Sequence, residues 1–180
     1  MKRSIVLLSA IAGIFMGTSA LAQDNSEMIA VYRWYNPTDK NFVTLAENQY
    51  PEGQLLNWKY KDKTLLFYAF TEPGPNRVAV NSWFNPVTKD QVSVVEDEFA
   101  DDDMIKMGYT DKVHQFYASE VRMPNRVAVY RWFLPKTLDW VTIPEEGNTD
   151  TYFKKGYKRK TFQFYGVRRT SDESLYNGEL

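Results

Sequence analysis

The chain has 180 residues and a formal net charge of −1, and it contains one histidine and no cysteine. This balance of charge lacks the basic excess that is typical of nucleic-acid-binding proteins. Without cysteine, the fold has neither disulfides nor a cysteine-ligated zinc site, so a hydrophobic core must hold it together. Aromatic residues make up 16% of the chain and supply that core with large side chains.

The first 22 residues are predicted to form a signal peptide. Lys2 and Arg3 precede an apolar run over residues 5–15, and small residues stand at 20 and 22, where a signal peptidase cleaves. We therefore expect an exported protein, periplasmic or extracellular. Removal of Lys2 and Arg3 leaves 20 basic against 23 acidic residues, a net charge of −3. No later stretch of the sequence is long and apolar enough to span a membrane.

The rest of the sequence repeats itself three times with a period of about 49 residues. Tryptophan, proline and the phenylalanine of a Phe-Tyr pair recur at this spacing: Trp34, Trp83 and Trp132; Pro37, Pro86 and Pro135; Phe67, Phe116 and Phe164. Such a period indicates a repeat architecture, in which each copy buries its apolar face against its neighbours. We expect one domain over residues 23–180, with repeats at about 27–75, 76–124 and 125–170.

Each copy is predicted to open with a β-strand of alternating β-branched and aromatic residues, at 29–35, 78–84 and 127–133. A proline ends that strand, because proline lacks an amide donor. A second short strand is expected at 42–45, 92–95 and 140–143. In the second copy, residues 96–107 are predicted to form a short helix that stops at Gly108. Pro51, Gly53 and Gly147 disfavour a full helix in the other two copies.

A hairpin is expected to close each copy, at 58–69, 109–117 and 157–165. About four strands per copy and twelve in all then give an all-β fold with short helical segments. By analogy of repeat length and number, the copies are expected to form a closed pseudo-three-fold, β-trefoil-like arrangement, since closure removes free strand edges. A variant with a short helix in each copy is equally compatible with the pattern.

The copies resemble a secreted repeat family of bacteria and fungi designated Domain of Unknown Function 5648. The matching blocks are Tyr32-Arg33-Trp34-Tyr35-Asn36-Pro37, Tyr130-Arg131-Trp132-Phe133, Asn41-Phe42-Val43-Thr44, Gly108-Tyr109 and Gly156-Tyr157. A histidine of the family's second block is replaced by Asn41, Asp90 and Asp139. The resemblance implies secretion and frequent attachment to cell-wall or polymer-degrading proteins, and it implies no particular activity.

The sequence shows no catalytic or metal-binding pattern. His114 lies where the other copies have Leu66 and Phe162, and it is interpreted as a surface or partly buried residue without a role. The acids at 96–98 and 101–103 are an alternative calcium site. Calcium loops alternate ligands with spacers and need a glycine, however, so a solvated helix face is favoured. We expect no catalysis, no cofactor and no metal.

The candidate ligand-binding residues lie on the opening strands: Tyr32, Arg33, Trp34, Trp83, Tyr130, Arg131 and Trp132. Arginine offers a planar fork for carboxylates or sugar hydroxyls, and tyrosine offers a flat amphipathic ring. The tryptophans are either repeated core residues, which we favour, or one stacking platform per copy. The arginines either bind ligand or, as we favour, pair with acids at the boundaries between copies.

These features favour an exported, non-catalytic binding module for a glycan or another cell-envelope component. One alternative is a structural or inhibitory module that binds an exported protein through residues 96–103 or through the basic third copy. A second alternative is a carboxylate-based glycan hydrolase, which needs two carboxylates flanking a cleft. Neither a nucleic-acid partner nor a membrane span is expected.

Overall fold

A computed structural model describes residues 27–145 and 154–168. The predicted signal peptide and the variable segment of the third copy around Gly147 lie outside the described residues. Within the described residues the chain has nine strands and two short helices, which confirms the all-β prediction. Neither of these helices is long and apolar enough to cross a membrane.

The elements fall into three units of the same design. Unit 1 consists of β1 (Met28–Asn36), β2 (Asn41–Ala46), α1 (Glu52–Asn57) and β3 (Lys61–Phe70). Unit 2 consists of β4 (Arg77–Asn85), β5 (Asp90–Val95), α2 (Asp101–Lys106) and β6 (Thr110–Ser119). The described part of unit 3 consists of β7 (Arg126–Leu134), β8 (Asp139–Pro144) and β9 (Lys158–Val167). Corresponding strands therefore recur at the period of the sequence.

In each unit, the first strand lies at the centre of a three-stranded antiparallel sheet. β1 pairs with β2 and β3, β4 with β5 and β6, and β7 with β8 and β9. The registers correspond as well, since Val31 pairs with Phe67 and Val80 pairs with Phe116. The third strands connect the units: β3 pairs with β6, β6 with β9 and β3 with β9, each through one residue pair.

The prediction that a hairpin closes each unit is wrong. A single ten-residue strand takes its place, so the described residues hold three strands per unit and not four. Asp62 and Asp111 have the positive φ angles of turn residues, 56° and 54°. They lie where the register between the first and third strands shifts. A β-bulge bends a strand without reversing it, and these residues therefore bend the chain within one strand.

The helix of the second copy is present but shorter than predicted, and unit 1 contains an equivalent helix that the sequence disfavoured. Pro51 stands at the N-cap of α1, ahead of the first helical turn. Proline is tolerated at that end of a helix, because the first amides have no partner within the helix. Gly108 follows α2 with a φ of +87°, in agreement with its predicted role as the helix stop.

The main core lies where the three units meet. Phe67, Phe116 and Phe164 are buried there, with ring centroids 5.7–6.0 Å apart and interplanar angles of 67–79°. Aromatic rings prefer such edge-to-face contacts to face-to-face stacking. Smaller apolar clusters lie within each unit, and each contains the repeated tryptophan of that unit. Each unit therefore has its own small core, and the three share one aromatic centre.

Gly166 is expected not to tolerate a side chain. A Cβ atom at this position would lie 2.7 Å from the ring of Phe67, which the other two rings hold in place. Because overpacking a core costs typically 1–3 kcal/mol, we expect Gly166→Ala to lower the free energy of unfolding by about that much in urea denaturation. Gly53→Ala is the control, because nothing lies within 4 Å of its added Cβ. Equal stability of the two variants would show that the core can accommodate the methyl group.

Candidate functional site

The interior contains a polar cluster formed by the first residue of each second strand: Asn41, Asp90 and Asp139. All three side chains are buried. Each contacts a tyrosine of its own unit. The Tyr109 hydroxyl donates to Asp90 Oδ2 at 2.6 Å, and the Tyr157 hydroxyl donates to Asp139. In unit 1, the corresponding Tyr60 lies beside the side chain of Asn41, which opposes the rise that burial causes in the Tyr60 pKa.

The polar cluster also joins each unit to the next. The backbone N–H of Phe42 donates to Asp139 Oδ1, and the backbone N–H of Trp140 donates to Asp90 Oδ1, both at 3.4 Å. Asn41 Nδ2 donates to the backbone carbonyl of Lys89 at 2.7 Å. One member of the cluster thus bonds across each of the three junctions, so the cluster contributes to the assembly of the units.

Asp90 and Asp139 interact directly as a pair of buried acids. Burial raises the pKa of Asp139 to about 7, although hydrogen bonds from Tyr157 and Phe42 oppose the shift. Burial, followed by the negative charge of Asp139, raises the pKa of Asp90 well above its ordinary value. The second of two neighbouring buried carboxylates ionises only at a large cost in free energy, because the two negative charges repel each other. The pair therefore retains a proton near neutral pH.

The acid pair is closed to solvent. Asp90 and Asp139 are each 1% exposed, so a polymer cannot reach their oxygens. Their tyrosine partners stay protonated, since burial and then the charge of the adjacent acid raise the pKa of Tyr109 and Tyr157. In the described part of the chain, no group of three or more acidic or histidine side chains is arranged to hold a metal ion.

The three tryptophans among the predicted binding residues are core residues. Trp34, Trp83 and Trp132 are 4–7% exposed. Each packs within its unit; Trp34, for example, contacts Val43 and Leu45 of the second strand. Buried rings offer no face to a ligand, so the structure removes these three residues from the candidate binding surface. Their repetition reflects packing.

Tyr32 and Tyr130 are partly exposed, and each has a lysine over its ring. Lys63 Nζ lies 4.3 Å from the centre of the Tyr32 ring, and Lys160 Nζ lies 3.9 Å from that of Tyr130. Lys160 in turn pairs with Glu145 at 2.8 Å. Such cation–π contacts occupy one face of each ring. The two tyrosines lie on β1 and β7, in different units, and each has a local structural role.

Arg131 pairs with an acid at a unit boundary, as the sequence favoured. It is 3% exposed, and its two terminal nitrogens bind the two carboxylate oxygens of Glu98 at 2.7 and 2.8 Å. Nη1 also donates to Gln163 Oε1 at 3.3 Å. This ion pair joins unit 3 to unit 2, so the guanidinium group of Arg131 has a structural role and is not exposed to a ligand. Arg33 is partly buried and lines a cavity of about 420 Å³ between units 3 and 1.

At the junction of units 1 and 2, the positions equivalent to Glu98, Arg131 and Gln163 all hold neutral side chains. Gln49 Nε2 donates to Ser82 Oγ at 2.7 Å, and Gln115 Nε2 donates to Gln49 Oε1 at 2.6 Å. These residues correspond in sequence to Glu98, Arg131 and Gln163. Equivalent positions therefore hold an ion pair at one junction and an amide–hydroxyl chain at the next.

A cleft of about 540 Å³ lies between units 1 and 2, and we call it the 1–2 cleft. Trp58, which follows α1, is 45% exposed and meets the ring of Tyr50 at a centroid distance of 5.2 Å and an angle of 70°. Tyr60 and Phe84 add further aromatic surface. The polar side chains that line the cleft are Asn36, Asp39, Lys89, Gln91 and Asp111.

The repeat pattern conceals this cleft in the sequence. Trp58 is not one of the repeated tryptophans, because the second copy has Met107 at this place and the third has Lys155. The cavity between units 3 and 1 is lined at equivalent positions by Lys40, Asp62 and Lys155. The signal that could have revealed the 1–2 cleft is this difference between copies just after the helix.

The other residues considered from the sequence lie on the surface. His114 is exposed, and its ring lies 4.6 Å from that of Tyr117. The three aspartates of the alternative calcium site are exposed in the first turn of α2. Asp101 pairs with Lys112 at 2.9 Å, and Asp103 pairs with Lys106 at 3.2 Å. These acids thus occupy a solvated helix face.

The fold and its junctions define a small all-β protein of three similar units joined by polar contacts. The chain belongs to the family described as Domain of unknown function (DUF5648), whose sequence profile matches residues 30–167. The match supports the resemblance seen in the sequence at the level of the family. Neither a search of curated proteins nor a search of solved structures finds a match.

Proposed function

We propose that the protein is an exported, non-catalytic binding module for a glycan or another cell-envelope component, and that the ligand enters the 1–2 cleft. The observation that carries this proposal is the exposed ring of Trp58 beside Tyr50, in a cleft that combines aromatic and aliphatic surface with amide, carboxylate and ammonium groups. A sugar ring has an apolar face and a rim of hydroxyls, which such a surface complements. Export is supported by the features of residues 1–22.

A glycan array probed with residues 23–180 tests this proposal. We expect saturable binding to at least one class of polysaccharide, and no binding by the heat-denatured protein. The absence of binding to every glycan would contradict the proposal. Salt-sensitive co-purification with one exported protein would then favour the structural or inhibitory partner module, since surface charge contacts weaken with ionic strength.

The glycan hydrolase stays as a second candidate, because two carboxylates, Asp39 and Asp111, line the same cleft. Glycosidases use a carboxylate pair that flanks the scissile bond. The enclosed pair of Asp90 and Asp139 has no such access. Release of reducing ends from a bound polysaccharide, with loss of the release in Asp111→Asn, would replace the binding proposal.

We also propose that the three units form a closed, pseudo-three-fold arrangement. The pairwise contacts among β3, β6 and β9 and the packing of Phe67, Phe116 and Phe164 support closure. The described residues depart from a β-trefoil in having three strands per unit in place of four. An experimental structure in which units 1 and 3 do not meet would contradict this arrangement.

A further inference from the structure

We infer that the 1–2 cleft takes a neutral pyranose sugar and discriminates against acidic sugars. This inference rests on the proposed glycan-binding function and names its ligand class. It follows from three features of the cleft. The aromatic surface of Trp58 and Tyr50 is fixed in position, polar side chains of unit 2 face it across the junction, and the charged residues that line the cleft are mainly acidic.

The segment that carries Trp58 is held in place in the absence of a ligand. Asn36 Nδ2 donates to the backbone carbonyl of Trp58 at 3.1 Å and to Asp39 Oδ2 at 2.8 Å. The backbone N–H groups of Thr38 and Asp39 donate to Asn36 Oδ1 at 2.9 and 3.2 Å. One buried amide thus fixes both the turn that carries Asp39 and the residue that carries the indole ring. Preorganisation of this kind lowers the entropic cost of binding.

Unit 2 supplies the polar wall across the junction. Gln91 is nearly buried, so its amide is confined, while Lys89 and Asp111 are exposed at the mouth of the cleft. An amide, an ammonium group and a carboxylate together donate to and accept from vicinal hydroxyls. A pyranose stacked on the Trp58 ring would present its hydroxyl rim to such groups.

The charges of the cleft select against carboxylate-bearing sugars. Asp39 and Asp111 are opposed by Lys89 alone among the charged residues that line the 1–2 cleft. The equivalent cavity between units 3 and 1 has the opposite balance, with Arg33, Lys40 and Lys155 around Asp62. Like charges repel at short range, most strongly where solvent is partly excluded. A uronic acid is therefore disfavoured in the 1–2 cleft, whereas a neutral hexose or an N-acetylated hexose is not.

Isothermal titration calorimetry with three soluble hexamers tests the inference: cellohexaose, the hexamer of N-acetylglucosamine and oligogalacturonate. We expect at least one neutral hexamer to bind at least about tenfold more tightly than oligogalacturonate, a difference of about 1.4 kcal/mol. Trp58→Ala should weaken neutral binding by about tenfold or more. Met107→Ala, at the equivalent exposed position after α2, should leave it unchanged. Asp111→Asn should narrow the gap between the neutral and acidic hexamers.

The outcomes separate this inference from the function on which it rests. If a glycan binds but Trp58→Ala binds it as the native protein does, the 1–2 cleft is not the site and the glycan-binding function stands. If oligogalacturonate binds more tightly than both neutral hexamers, or if neither neutral hexamer binds while the array shows another glycan, the ligand class is wrong. If no glycan on the array binds, both proposals fail.

Discussion

Glu98→Ala is expected to lower the free energy of unfolding by about 3–5 kcal/mol, because it leaves the buried guanidinium of Arg131 without its carboxylate. Arg131 lies between two rings, with its guanidinium carbon 5.1 Å from the centre of Phe99 and 4.9 Å from that of Trp140. Gln163 is the other side chain that accepts from it, and a neutral amide cannot balance the charge. Equilibrium denaturation in urea measures the loss.

Glu145→Ala is the matched control for Glu98→Ala. It removes a carboxylate that binds Lys160 at 2.8 Å, at a site where both side chains are substantially exposed to water. Exposed pairs are worth about 0–1 kcal/mol, so this variant should lose little stability. If the two variants lose the same amount, burial does not strengthen the Glu98–Arg131 pair.

The junction of units 1 and 2 offers a replacement for the ion pair. The double variant Glu98→Gln, Arg131→Ser recreates at the junction of units 2 and 3 the neutral pair of Gln49 and Ser82. Replacing both partners of a buried pair avoids the unpaired charge that single replacement leaves. We expect the double variant to be more stable than Glu98→Ala, and the reverse order would show that the cost arises from lost packing of the arginine.

The parts of the fold that depend on local pattern could be predicted from the sequence. The first and second strands lie within one or two residues of their predicted positions, because alternation of apolar side chains and a following proline act locally. The third strand was predicted as a two-stranded hairpin, because its shape does not follow from local sequence alone. Asp62 and Asp111 have turn chemistry and a turn-like φ, and only pairing with a distant first strand makes them part of a bulge.

The candidate site was harder to predict, because it lies between units. Trp58 belongs to unit 1 and Asp111 to unit 2, and their residue types do not show that one cleft brings them together. The repeated tryptophans have the spacing of one residue per unit, and their burial shows that this repetition reflects packing. The polar cluster was visible as a substitution at Asn41, Asp90 and Asp139. Its burial and the direct contact of the two acids depend on how the three second strands converge.

The acid pair predicts that stability falls as the pH rises through the neutral range. The unfolded pKa of an aspartate is about 3.9, whereas that of Asp139 in the fold is about 7. Between these values the folded state binds more protons than the unfolded state, so the free energy of unfolding decreases with increasing pH. The contribution is fully present below about pH 4 and is lost by about pH 8. Three pKa units correspond to about 4 kcal/mol, which is the upper end of the effect expected from this group.

Asp139→Asn is expected to weaken this dependence, because only Asp90 then keeps a pKa that burial raises. It should also make the protein more stable than the native chain at pH 8, by about 2–4 kcal/mol. An asparagine amide can donate to Asp90 in place of the shared proton and can still accept from Tyr157, although the long bond from the Phe42 amide to Asp139 Oδ1 is then lost. The fold already accommodates asparagine at the equivalent position 41. Urea denaturation at pH 5, 6, 7 and 8 measures how the free energy of unfolding changes with pH in the native chain and in the variant. Parallel slopes for the native chain and the variant would show that other groups cause the pH dependence.

Asn41→Asp is the reciprocal substitution, and it should steepen the fall in stability with pH. A third buried carboxylate would adjoin a pair that already shares a proton, and its pKa would also be raised by burial and like charge. Asn41 Nδ2 also donates to the backbone carbonyl of Lys89, across the junction of units 1 and 2. A carboxylate at position 41 could donate to that carbonyl only when it is protonated. The variant should therefore approach native stability at pH 5 and lose most at pH 8. Loss of the same size at both pH values would point to the missing hydrogen bond, and not to charge, as the cause.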